Sequence, residues 1–269
     1  MIKKRLILLL AICVAFTPVK AWCALGDLGE PRSSYNLGSA RFLSGNNVIV
    51  SVYADTPSAI FSDEDIASEE EKLESACEYI IVQGEKYGQD IIFTTKDTEN
   101  TYLSYRIKLD RDPDESDEFE NYLDEKMHFF NRKILGSMHL AYDGYERIKA
   151  CFEADNIFVM VHFKLDGRAY AVCFDGEDTE YEYLVTYKDS EPSVLAHEML
   201  HLYGAHDYYE GAEYTEDVVS YIGNKYPDDI MLRVNSGDRI TKSVGKLTAY
   251  HLGWVDEYDA VKKYPQLLR

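Results

Sequence analysis

Basic side chains are scarce in this chain: 28 lysines and arginines stand against 48 aspartates and glutamates, for a formal net charge of −20. A surface of that sign repels phosphate backbones and anionic headgroups, which argues against nucleic acid and acidic membranes as partners. Prolines number only seven, and no proline-rich hinge, low-complexity linker or internal repeat divides the chain. Cys-x-x-Cys pairs are absent, which removes structural zinc ribbons and thioredoxin-like redox sites from consideration. The acidic runs at residues 63–78 and 110–125 lack the glycine-punctuated loop of an EF-hand and are expected to be solvated helix faces. Beyond residue 16 no apolar run is long enough to span a bilayer.

The apolar run that does exist, residues 6–16, follows Lys3, Lys4 and Arg5 and precedes Val19-Lys20-Ala21. A basic start, a short apolar core and small residues at the cleavage positions describe a secretory signal over residues 1–21. An uncleaved anchor is disfavoured by the run's length, and lipidation of Cys23 by the bulky Trp22 before it. Four of the basic residues leave with the signal, so the mature chain carries about −24 and is expected outside the cytoplasm, without a membrane partner. Cys13 is lost as well. Of Cys23, Cys77, Cys151 and Cys173, the pair Cys151 and Cys173 flanks one expected strand pair, making a disulfide or two small buried hydrophobes the alternatives.

The rest fits one domain of two lobes. Residues 22–45 are weakly patterned, and residues 46–269 form the folded part, an upper lobe at 46–204 and a lower lobe at 205–269. Strands are expected at 47–54, 91–95, 102–108, 156–164, 168–174 and 180–187 from their β-branched or alternating patterns. Leu165-Asp166-Gly167 is expected to join the fourth and fifth as a hairpin. Ser62-Asp63-Glu64-Asp65 caps a helix that Gly88 ends, a second helix covers 116–135, a third 190–203 after Ser190-Glu191-Pro192, and a last 243–252. The fold class is therefore α/β (α+β), a twisted mixed sheet packed on two long helices, followed by a mostly irregular C-terminal stretch.

The third helix carries the chemistry. In His197-Glu198-Met199-Leu200-His201 the two histidines are four residues apart, so both imidazoles leave one helix face and a zinc ion can bridge them. Glu198 is placed to take a proton from water beside that ion. Gly204 can adopt positive φ and turn the chain back, so that a third ligand approaches from outside the helix. Asp207 stands at the favoured spacing; His206, one place earlier, is the alternative, with the other residue beside it as a supporting partner. His128, His139, His162 and His251 are expected to be ordinary buried or surface histidines.

The run HEMLHLYGAHD resembles the HExxHxxGxxH/D signature of metzincin metalloproteases in its aspartate variant. The resemblance is dense over residues 190–254 and only architectural over 45–187. It implies a zincin-like catalytic domain, Zn2+ held by His197, His201 and Asp207, Glu198 as general base, and a peptide or protein substrate. Pro227-Asp228-Asp229-Ile230-Met231 is similar to the methionine turn of that superfamily, and residues 247–254 to its closing helix. Arg233 stands two places after the methionine, where some families carry a tyrosine, which leaves the oxyanion donor open among Tyr208, Tyr209 and Tyr250. The strand 180–187 is expected to offer an edge to an extended substrate, and the acidic surroundings to favour basic or neutral peptides.

The function expected from all this is a secreted zinc endopeptidase. Its alternatives are a zinc hydrolase of a non-protein amide, a protease with Glu213 or Glu216 as third ligand, or a non-catalytic exported binding protein on the same fold. Intact Glu198 argues against the last, and Gly204 against the glutamate-ligand form.

Overall fold

A computed structural model of the chain describes residues 38–97, 101–135, 144–173, 182–209 and 214–268. The expected signal segment, Cys23, His139 and Glu213 lie outside them. Among the described residues no helix is long and apolar enough to cross a membrane.

Strand β1 (Gly45–Asp55) is an interior strand of the sheet and pairs with three others. Its run Val48–Ala54 is buried on both faces, which an alternating sequence could not tolerate and this β-branched one can. Strands β2 (Ile91–Thr94) and β3 (Ser104–Lys108) pair in parallel with the first and second halves of β1 along the same side. On its other side runs β4 (Asn156–Phe163), then β6 (Tyr183–Tyr187), both parallel and entirely buried. The last position belongs to β5 (Tyr170–Val172), antiparallel to β6.

This order overturns two expectations. Residues 165–167 do not close a hairpin, because β6 lies between β4 and β5. Nor is β6 an edge. All five of its residues are buried, so it needs neighbours on both sides, whereas the partly exposed β5 tolerates the rim. The 165–167 loop instead leans on the connection after β6, with Lys188 N–H donating to Leu165 O at 3.1 Å and Gly167 N–H to Asp189 Oδ1 at 3.2 Å.

Helices cover both faces. Helix α1 (Asp63–Glu85) begins in the expected capping box, Ser62 Oγ accepting from Asp65 N–H while Asp65 accepts from Ser62 N–H. It ends before Gly88 at φ +73. Its stripe Leu73, Ala76, Cys77 and Ile80 packs on Ile49, Phe158, Met160 and Leu184. Helix α2 (Asp117–Phe129), prolonged by a π-helical segment at Phe130–Leu135, packs with α3 (Gly144–Phe152) on the opposite face, against Val50, Val52, Val159 and Val185. The result is a mixed α/β fold.

Helix α4 (Pro192–His201) shares the α1 side of the sheet. Its N-cap residue is Glu191 and makes no side-chain cap bond; Ser190, expected to help cap it, accepts from Tyr187 N–H. The stretch after α4 is less irregular than expected, for α5 (Glu216–Lys225) precedes α6 (Lys246–His251). Side chains of residues 205–208 and 214–267 share one core with α1. Tyr87 donates to Val244 O, Val244 N–H to Gln83 Oε1, and Trp254 Nε1–H to Leu43 O.

Candidate metal centre and cleft

Helix α4 is apolar on nearly every side, with Leu195, Ala196, Met199 and Leu200 all fully buried. That burial fixes its rotation and leaves one narrow face, bearing His197, Glu198 and His201, toward the cleft. After His201 the chain turns as Gly204 takes φ +93. Ala205 N–H donates to Leu200 O and Gly204 N–H to His201 O, closing the helix end and bringing Asp207 back over it.

Each imidazole is held by a backbone carbonyl. His197 Nδ1 is 3.0 Å from Ile230 O, and His201 Nδ1 is 2.7 Å from Ala205 O. With both Nδ1–H groups so engaged, the two Nε2 atoms present lone pairs. They lie 3.1 Å apart, and Asp207 Oδ1 lies 3.1 Å from one and 3.3 Å from the other. This Oδ1 is buried and has no hydrogen-bond partner, while Oδ2 accepts from the Tyr209 hydroxyl at 2.6 Å. Three acceptors converging this closely repel one another unless a cation sits among them. Ligands about 2.0 Å from a tetrahedral ion are about 3.3 Å from each other, which these spacings match. Among the described residues, His197, His201 and Asp207 are the group that could hold a metal ion.

Comparisons with protein-family models, with curated proteins and with solved structures return no match.

The electrostatics follow from burial and proximity. Burial alone would raise the Asp207 carboxyl, but the two imidazoles and Tyr209 hold it well below the usual range. Burial would lower His201, yet Asp207 and Glu198 outweigh it and hold that imidazole up. Glu198 is raised, chiefly by desolvation, with the imidazoles and Arg168 opposing. Its carboxylate makes no hydrogen bond to the described residues and lines the cleft.

The other sequence candidates separate cleanly. His206 accepts from or donates to the Tyr214 hydroxyl at 3.0 Å and its ring centre lies 4.6 Å from that of His251, outside the converging trio although on the cleft wall. Glu216 is exposed in the first turn of α5. His162 and His251 are buried, the latter bonded to the Tyr208 hydroxyl and Leu267 O. Of the three tyrosines named as oxyanion donors, Tyr208 and Tyr250 are buried away from the cleft; Tyr209 lines it. Cys77, Cys151 and Cys173 are free thiols, so of the two alternatives for Cys151 and Cys173 the disulfide is not formed, and Cys151 is exposed rather than a buried hydrophobe. Cys173 instead points its Sγ at His201 O, 3.5 Å away, from the end of β5.

The cleft has two halves of about 490 Å³ each, which meet at Arg168, Ala169, Glu198 and Tyr209. One half continues along β5 to Cys173 and His206; the other runs to Ser190, Val194, Arg233 and Val234. Sequence patterns had no means to find the two carbonyls that orient the imidazoles, because a backbone acceptor carries no residue signature.

Residues 229–231 buttress His197 from beneath. The Asp229 carboxylate accepts from Met231 N–H, Gly245 N–H and the Thr248 hydroxyl, and Met231 is fully buried. Desolvation pushes this carboxyl up to about 6, against the pull of its donors.

Proposed function

We propose that the protein is an exported zinc-dependent peptide hydrolase with a zincin-like site, similar to the aspartate-ligand metzincins. The observation carrying this reading is the convergence of His197 Nε2, His201 Nε2 and an otherwise unpartnered Asp207 Oδ1 beside the unengaged carboxylate of Glu198. Two imidazoles and a carboxylate are a donor set suited to zinc, and three protein ligands leave a coordination position open. Bound there, zinc supplies Lewis acidity toward water and toward a carbonyl oxygen.

The chain's own residues do the rest. Ile230 O and Ala205 O hold the imidazoles in the tautomer that faces the site, and Tyr209 holds Asp207. Glu198, its affinity for protons increased by burial, accepts the proton of the attacking water at its carboxylate and returns it to the departing amine nitrogen. The outer edge of β5 borders the cleft at Tyr170 and Ala171, so it, rather than β6, is the strand beside which an extended peptide would lie.

The test pairs zinc content with hydrolysis of an unfolded protein by wild type and Glu198→Ala. Stoichiometric zinc in both, with cleavage lost by about a hundredfold or more in the variant, supports the reading. Zinc without hydrolysis of any peptide by wild type would move it to a metal-dependent binding protein.

A further inference from the structure

Among the described residues Lys72, Lys96, Arg106, Arg111, Lys164, Lys242 and Lys262 pair with carboxylates, while other basic side chains, Lys108, Arg147 and Lys246 among them, do not. Arg168 and Arg233 belong to the second group, and neither guanidinium forms an ion pair or a hydrogen bond to the described residues; what sets them apart is where they stand. Both are exposed, and both line the same half of the cleft as Glu198. They reach it from separate parts of the chain. Arg168 comes from the loop that leads into β5, and Arg233 from the segment just after the buried Met231.

Two carboxylates face this half besides any substrate. Glu198 lies at its boundary, and Asp189 is occupied with the Gly167 amide. On its other side Arg168 borders a hollow of about 340 Å³ walled by Asp114, Glu115, Asp117 and Glu120. It is thus a cationic ridge between an acidic hollow and the cleft. Guanidinium groups present planar forks of donors suited to carboxylates, and two that line one hollow can share one.

We propose that Arg168 and Arg233 form a carboxylate-recognising subsite beside Glu198, making the preferred substrate an acidic peptide. The carboxylate is either an Asp or Glu side chain next to the scissile bond or a free C-terminus. This rests on the peptide-hydrolase reading and reverses the preference expected from net charge: long-range repulsion by the acidic surface is screened within about 8–10 Å in salt, whereas the two guanidinium groups act at contact.

The test uses the mature zinc-loaded chain and matched fluorogenic peptides. They carry Glu, Gln or Lys on either side of the scissile bond, each with an amidated or a free C-terminus. Wild type should cleave the Glu peptides about tenfold better in kcat/KM than the Gln peptides, with about threefold of that ratio lost in Arg168→Gln or Arg233→Gln and all of it in the double variant. Replacing both by Glu should turn the preference to Lys. If the advantage follows the free C-terminus and ignores internal Glu, the terminal carboxylate is the group recognised. An equal Glu-to-Gln ratio in wild type, with no effect of the free terminus, overturns the subsite, as does an advantage the double variant keeps. Should no peptide be cleaved, the hydrolase reading falls separately. Fluorescence anisotropy of labelled Glu and Gln peptides on Glu198→Gln then decides the subsite: salt-sensitive selection of the Glu peptide that the two further Arg→Gln changes abolish sustains it, and equal binding ends it.

Discussion

Tyr209 donates its hydroxyl to Asp207 Oδ2 at 2.6 Å, and the same carboxylate presents Oδ1 to both imidazoles. One side chain thus has its two oxygens divided between an orienting bond and the metal position. Tyr209→Phe removes the orienting bond without emptying the position. Zinc affinity, measured by competition with a chromophoric chelator, should fall about 10- to 100-fold. Unchanged affinity would show that Asp207 is oriented by its backbone alone.

Asp207 and His206 are adjacent in sequence but not in role. Asp207→Ala should abolish stoichiometric zinc, since it removes the acceptor that completes the trio. His206→Ala should keep stoichiometric zinc and instead lower the melting temperature, because its ring bonds and stacks on Tyr214 and packs against His251. Zinc analysis and a thermal melt of both variants decide it; loss of zinc in the His206 variant would exchange the two assignments.

Asp229 should imprint a pH dependence on stability. Its carboxyl rises from an ordinary value near 3.8 to about 6 in the fold, so between those pH values the folded chain holds a proton that the unfolded chain releases. The resulting stabilisation is complete below about pH 4 and lost as pH rises through about 6, amounting to roughly 3 kcal/mol. Melts in excess chelator should show wild type losing stability relative to Asp229→Asn over that window, with a constant difference above it. A difference that is flat from pH 4 to 7 would mean that the donors from Met231, Gly245 and Thr248 cancel the cost of burial.

The free thiols make a simple prediction. Cys151 is exposed and Cys77 buried, and burial raises the thiols of Cys77 and Cys173. Alkylation of the native protein followed by mass spectrometry should label Cys151 first and Cys77 only on unfolding. A Cys151–Cys173 disulfide in the purified chain would contradict the structure.

What the sequence disclosed about fold and site divides along physical lines. The α1 capping box, the Gly88 and Gly204 turns and the β-branched runs of β1 and β4 are local signals, and they stand where expected. Strand order is not local. The 165–167 turn looked like a hairpin because nothing nearby shows that β6 will intervene, and β6 looked like an edge although its run Tyr183–Tyr187 is buried throughout. Helices α3 and α5 leave little trace in the sequence pattern because each buries only a few side chains, Tyr145 and Ile148 in one and Val218 and Ile222 in the other. At the site, spacing carried His197, His201 and Asp207, while Arg168 was invisible until the fold set it beside Glu198.

The turn at Gly204 also bears on how the molecule assembles. His197, Glu198, His201, the Ala205 carbonyl and Asp207 all lie within eleven consecutive residues, Tyr209 follows two places on, and the Ile230 carbonyl comes from farther along the chain. Closing so short a loop costs little chain entropy, and contacts of small sequence separation form early. The metal position is therefore expected to take shape as soon as the end of α4 does, before the sheet is complete, with docking of residues 229–231 as the later, locking event. In that order of events, an ion captured by the nascent turn would act as a folding nucleus as well as a reagent.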